Sequence, residues 1–182
     1  MRVVAGSLRG RTIVAPLGES TRPTTDRARQ ATFNALESLG AVEDSTVLDL
    51  FAGSGALGIE ALSRGASSCT FVERDRTALE AIRHNVSRLG VADRAKVVAG
   101  DVLTSLPAQH GFDLVLADPP YGYAGWERLF DSVARVLSAD GVLVVEADRE
   151  FADLEGWDTI RSKRYGRAWI SFLRRSEADR VS

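Results

Sequence analysis

The stretch Val47-Leu48-Asp49-Leu50-Phe51-Ala52-Gly53-Ser54-Gly55-Ala56-Leu57-Gly58 constrains the fold more than any other part of the chain. Its apolar run (Val47, Leu48, Leu50, Phe51) reads as a buried strand of a parallel sheet. Gly53, Ser54 and Gly55 then make a turn open to few other residues, and Gly58 opens a helix. A strand, a glycine turn and a helix N-terminus bring backbone N–H groups close to a ligand, because glycine has no Cβ to hold it off. The G-x-G-x-x-G spacing does not by itself separate a nicotinamide or flavin site from one for S-adenosylmethionine. Asp49, inside the strand and four residues ahead of Gly53, suits a cofactor with a cationic amino acid end better than a pyrophosphate.

The whole chain of 182 residues, 45% hydrophobic, provides for one globular domain with a core of ordinary size. No apolar run approaches a membrane span and no signal-peptide core precedes the domain, so no membrane partner is expected. The single cysteine, Cys69, sits in an apolar run and has no internal disulfide partner, which fits a reducing cytoplasm. His84 and His110 lack acidic or cysteine neighbours at ligand spacing, so no metal is expected. Nothing in the chain demands more than a monomer.

A net charge of −2 conceals a segregation. Residues 1–30 carry six arginines (Arg2, Arg9, Arg11, Arg22, Arg27, Arg29) against two acids. Residues 161–175 carry six basic groups, Lys163, Arg164 and Arg167 among them, and no acid. The segment 31–160 holds ten basic against twenty-one acidic groups. Two basic flanks on an acidic body point to a polyanion meeting one face of the molecule.

Residues 2–5 and 11–15, separated by Gly6-Ser7-Leu8-Arg9-Gly10, predict a basic β-hairpin, and 16–23 a linker. Residues 1–23 therefore precede a compact domain at 24–176, and 177–182 form a frayed tail. Thr24 or Thr25 can cap a helix that runs to about Leu39 and stops at Gly40. Strands at 46–51, 69–73, 95–99, 112–117 and 141–147 then alternate with helices near 57–64, 76–89, 102–106 and 125–138. Runs at 157–164 and 167–174, split by Tyr165-Gly166, predict a closing antiparallel hairpin. The result is an α/β, Rossmann-like fold with a seven-stranded mixed sheet.

Glu73 lies twenty residues after Gly53, at the end of the second strand, where an acid can accept both ribose hydroxyls of an adenosine cofactor. Asp101 ends the third strand and can accept from an adenine amino group. Asp118-Pro119-Pro120-Tyr121 follows directly on the apolar strand 112–117. Two prolines fix φ and remove two backbone donors, leaving a carboxylate and carbonyls as acceptors for an exocyclic amine. Tyr121 offers a face on which an extruded base can stack. Asp118 positions the amine; a general-base role is the alternative.

The glycine turn, the acid after strand two and the Asp-Pro-Pro-Tyr loop resemble class I S-adenosylmethionine-dependent amino-methyltransferases. Arg2-Val3-Val4-Ala5-Gly6, Arg9-Gly10-Arg11, Arg22-Pro23-Thr24-Thr25-Asp26-Arg27 and Glu60-Ala61-Leu62-Ser63-Arg64-Gly65-Ala66 further resemble the RsmD family, across nearly the whole chain. That resemblance implies methyl transfer from S-adenosylmethionine to the 2-amino group of a guanine in 16S ribosomal RNA, of the guanine-966 type, within an assembling 30S subunit. It implies a cofactor site at Asp49, Phe51, Gly53, Gly55, Glu73, Arg74, Asp101, Val102 and Thr25, and a base site at Asp118, Pro119, Pro120 and Tyr121. Arg2, Arg9, Arg11, Arg22, Arg27, Lys163, Arg164 and Arg167 would meet RNA. A DNA adenine-N6 methyltransferase shares the Asp-Pro-Pro-Tyr chemistry, but 182 residues leave no room for a target-reading region.

Overall fold

A computed structural model describes residues 1–16, 23–106 and 110–176, with side chains omitted for 23–25. The linker, Arg22 and the tail from 177 therefore lie outside the described residues, as does the side chain of Thr25. Helix α1 (Pro23–Ser38) begins at a proline, whose fixed φ and missing N–H suit the first helical turn. It is followed by β1 (Thr46–Leu50), α2 (Ala56–Ser63), β2 (Ser68–Glu73), α3 (Arg76–Leu89) and β3 (Ala95–Ala99). Then come α4 (Val102–Ser105), β4 (Phe112–Ala117), α5 (Trp126–Val136), β5 (Leu137–Ala147), β6 (Trp157–Tyr165) and β7 (Ala168–Arg175).

Seven strands form one sheet in the order β3-β2-β1-β4-β5-β7-β6. The first five are parallel; β7 inserts antiparallel between β5 and β6. This is the mixed sheet and closing hairpin that the sequence predicts. Strand order reverses between β1 and β4, and in open α/β sheets ligands bind at the carboxyl ends of the strands at that point. Alternation along the strands divides the core. Val47, Leu114, Leu116, Val144 and Ile170 pack on one face of the sheet, against Phe33, Leu36, Ile59 and Leu62. Leu48, Leu50, Val115, Val145 and Leu173 pack on the other, against Trp126, Phe130 and Val133.

Two expectations change in extent. The N-terminal hairpin is one antiparallel bridge, Arg2 opposite Thr12, rather than a ladder. The reason is competition for donors: the N–H groups of Val4 and Ala5 bond the Glu60 carboxylate at 2.8 and 3.0 Å. Ser7 N–H goes to the carbonyl of Ser63 at 2.7 Å. The segment closes on itself through Val3 N–H to the Arg11 carbonyl, Gly10 N–H to Val3 and Ile13 N–H to Met1, and is further stitched to α2. Strand β5 begins at Leu137, four residues earlier than expected, because Leu137 pairs with Phe112 before a register shift leads into Leu114–Val142.

Candidate functional site

The carboxyl ends of β1, β2, β4 and β5 surround a cleft of about 580 Å³. Its floor is the glycine turn. Phe51, Gly53 and Gly55 have φ of 59°, 54° and 78°. For Phe51 the left-handed conformation costs about 1–2 kcal/mol, a strain that lets the chain leave the strand sharply into the turn. A Cβ on Gly53 would find nothing nearer than the Phe51 carbonyl at 4.0 Å, so its absence leaves backbone exposed to the cleft. Gly58 serves packing: a Cβ there would lie 2.3 Å from Phe71 and 2.5 Å from Cys69. Helix α2 rests directly on β2 because that residue has no side chain.

Two acids hold the turn in place and a third stands beside them. Asp49, 1% exposed, accepts the Gly58 N–H at 2.9 Å, and its second oxygen takes no hydrogen bond from the described residues. Burial pushes its carboxyl up to about 8; the Gly58 N–H opposes the rise and the charge of Glu73 adds to it. Glu73 accepts the N–H groups of Gly53 at 2.9 Å, Arg74 at 2.7 Å and Asp75 at 2.8 Å, so the end of β2 clamps the turn. Asp101 caps α4 through the Leu103 N–H at 3.0 Å and faces Arg74 at 3.8 Å. Val102 is buried behind it in the cleft wall.

The Asp118-Pro119-Pro120-Tyr121 loop, at the end of the neighbouring strand β4, forms the adjoining wall. Asp118 N–H reaches back to the Leu50 carbonyl at 3.4 Å, tying the loop to β1. The Pro120 carbonyl closes a turn with Tyr123 N–H at 3.1 Å, so it is engaged within the loop; no backbone bond to the Pro119 carbonyl exists among the described residues. Tyr121 is 73% exposed at the rim. Beneath it the ring of Tyr123 stands edge-on to Phe51 and to Trp126, both at 5.3 Å between centroids. Phe51 thus links the glycine turn to the aromatic side of the cleft.

The cleft also holds residues that local sequence patterns did not single out: Glu146, Asp148, Tyr123 and, from the N-terminal region, Met1, Arg29 and Thr32. Glu146 was detectable by the rule that picks out Glu73 and Asp118, an acid closing an apolar strand. Arg29 is 5% exposed and lies between Asp26 and Glu60 at 3.1 and 3.5 Å. It is withdrawn from the basic flank in which its sequence position puts it.

The other basic positions stand on the surface. Arg2, Arg9, Arg11, Arg27, Lys163, Arg164 and Arg167 are exposed. Arg2 donates to the Gly10 carbonyl and Arg11 to the Arg88 carbonyl, which orients both along the N-terminal segment. Because β7 runs antiparallel, the β6–β7 turn emerges at the carboxyl edge of β5, with Trp169 opposite Ala147. Lys163, Arg164 and Arg167 therefore flank the cleft edge, and Ala168 lines it. Among the described residues no group of three potential ligands could hold a metal, and no helix is long and apolar enough to cross a membrane.

Comparison with known proteins places this geometry. The family model described as conserved hypothetical protein 95 matches residues 1–174. Ribosomal RNA small subunit methyltransferase D of Escherichia coli (strain K12) is 38% identical over 149 residues, covering 81% of this chain and 71% of that protein. Its counterpart of the same name in Haemophilus influenzae is 33% identical over 174 residues, covering 91% and 89%. The solved structure of yhhF from Escherichia coli superposes with a TM-score of 0.84 at 34% identity, over 97% of this chain and 98% of that one. The fold is that of class I S-adenosylmethionine-dependent methyltransferases.

Proposed function

The chain belongs to the RsmD family, and from that premise we propose that it methylates the exocyclic 2-amino group of one guanine in small-subunit ribosomal RNA. It is a methyltransferase, and its cofactor is S-adenosylmethionine, which supplies an electrophilic methyl group when bound. The cleft suits that group. Asp49, buried and short of donors on one oxygen, matches a cationic amino acid end. Glu73 retains acceptor capacity for ribose hydroxyls beside the N–H groups it already holds, and Asp101 stands at the adenine end.

The observation that carries the reading is the position of Asp118 and Pro119 in the same cleft as the glycine turn, at the end of the strand next to it, with Tyr121 exposed at the rim. Asp118 and the Pro119 carbonyl accept the two amine hydrogens, while the Tyr121 ring stacks on the extruded base. An amine conjugated to a base is a weak nucleophile. Two fixed acceptors favour its rehybridisation, aim the nitrogen lone pair into the cleft and stabilise the positive charge that develops. Asp118 and the Pro119 carbonyl keep the amine aligned while S-adenosylmethionine held there gives up its methyl and leaves as the neutral thioether. The surplus proton of the amine passes to water. Exposed arginines and Lys163 at the cleft edge meet the phosphates of folded RNA, whose own shape presents the base. The substrate form is the assembling 30S subunit, and the enzyme acts as a monomer.

Transfer of radiolabelled methyl to unmodified small subunits, naked ribosomal RNA and plasmid DNA tests the proposal. Label recovered from RNA as N2-methylguanosine is expected. Label in DNA as N6-methyladenine would replace the assignment with the adenine-directed alternative.

A further inference from the structure

Glu146 sits at the end of β5, with Val145 paired to Ala117 of β4, so it follows Val145 at the level where Asp118 follows Ala117. On its other side it pairs with Ile170 of β7. Strand alternation turns it to the face shared by Leu116, Val144 and Ile170, and all four line the cleft. The side chain is half-buried and forms no hydrogen bond or ion pair with the described residues. Of the basic residues that line the cleft, Arg29 is already engaged by Asp26 and Glu60, and Arg74 faces Asp101. Desolvation raises the Glu146 carboxyl above the usual range. A carboxyl partly withdrawn from water without a partner carries a cost, and at a binding cleft the missing donor arrives with the ligand.

The Watson–Crick edge of guanine presents N1–H directly beside the 2-amino group. With the amine held by Asp118 and Pro119, N1–H projects toward a neighbouring acceptor on the same wall. We infer that Glu146 accepts the N1–H of the target guanine and thereby sets base specificity, a role that rests on the guanine-amine reading of the cleft. Adenine carries a lone pair at N1, which would face an acceptor with an acceptor. A site built around a substrate N–H rejects analogues that lack it, because its own polar group is then left unpaired.

2-Aminopurine keeps the 2-amino group but has an unprotonated N1 and no 6-oxo group, so the change in preference on altering Glu146 is what reports this contact. The test compares kcat/KM for small subunits reconstituted with RNA carrying guanosine or 2-aminopurine at the methylated position. Wild type should favour guanosine by about tenfold to a hundredfold. In Glu146→Gln, which adds a donor able to serve an unprotonated N1, the preference should fall to within about threefold, with S-adenosylmethionine affinity unchanged. Glu146→Asp, which withdraws the carboxyl by one methylene, should narrow it part of the way and guards against misfolding of the first variant. A loss of activity that leaves the ratio untouched in either folded variant would overturn the inference, as would a wild type indifferent to the substitution. Failure of wild type to make N2-methylguanosine on the guanosine subunits would instead bring down the reading of the cleft, and this inference with it.

Discussion

Asn85, fully buried on α3, donates to the carbonyl of Ser54 in the glycine turn at 3.0 Å. The same amide donates to the Val14 carbonyl at 2.8 Å and accepts the Val14 N–H at 2.9 Å. One side chain therefore fastens both the cofactor turn and the N-terminal segment that carries Arg2, Arg9 and Arg11.

Replacing it with alanine strands three backbone groups in the interior, at about 1–3 kcal/mol for each that water cannot reach. Asn85→Ala should lower the melting temperature by several degrees and weaken both cofactor and RNA binding. Calorimetric titration with each ligand checks this; loss of one affinity with the other intact would show that the two elements are not coupled through Asn85.

Gly58→Ala drives a methyl group into Phe71 and Cys69, and overpacking of this kind costs about 1–3 kcal/mol. The variant should unfold at lower denaturant concentration, and Phe71→Leu in the same chain should restore part of the loss. Equal midpoints for Gly58→Ala and wild type would mean that α2 can move off β2 freely.

Asp49 gives a pH signature. Its carboxyl is raised from 3.8 to about 8 in the folded chain, so between those values the folded state binds more protons than the unfolded state. Its contribution to stability is therefore best at low pH and declines as pH rises toward 8. Asp49→Asn, which keeps an acceptor for Gly58 N–H, should gain in melting temperature over wild type at pH 8 and gain little at pH 5. A difference independent of pH would contradict burial of an unpaired carboxyl there.

The charged face makes a separate prediction. Neutralising Arg2, Arg9 and Arg11 together should reduce the slope of log affinity for RNA against log salt by about 2. Neutralising Lys163, Arg164 and Arg167 should do the same from the other side of the cleft. An unchanged slope in either case removes that patch from the RNA interface.

Much of this arrangement is legible in the sequence because it is written locally. Apolar runs of five or six residues, one carrying Asp49 within it and the others closed by Glu73 or Asp118, mark buried parallel strands and their carboxyl ends. Gly40 and Gly90 mark where helices stop. What escapes is decided across long separations. Val4 and Ala5 look like hairpin strand, yet their donors are taken by Glu60, more than fifty residues away. Arg29 reads as surface charge until Glu60 on α2 and Arg64 just after that helix are brought against α1, with Arg64 at 2.8 Å from the same carboxylate. Pro120, grouped with Pro119 by sequence, has its carbonyl consumed by a turn to Tyr123 that only the loop geometry reveals. Glu146 has the local mark of an acid closing an apolar strand, but what brings it to Asp118 is the pairing of β4 with β5.

The central claim is that Asp118 serves the acceptor amine and not the cofactor. Asp118→Ala isolates it: S-adenosylmethionine affinity, measured by calorimetry, and single-turnover methyl transfer to small subunits are determined on the same preparation. The account predicts affinity within a few-fold of wild type and transfer slowed by about a hundredfold or more. Loss of cofactor binding in a folded variant, or transfer at the wild-type rate, would contradict it.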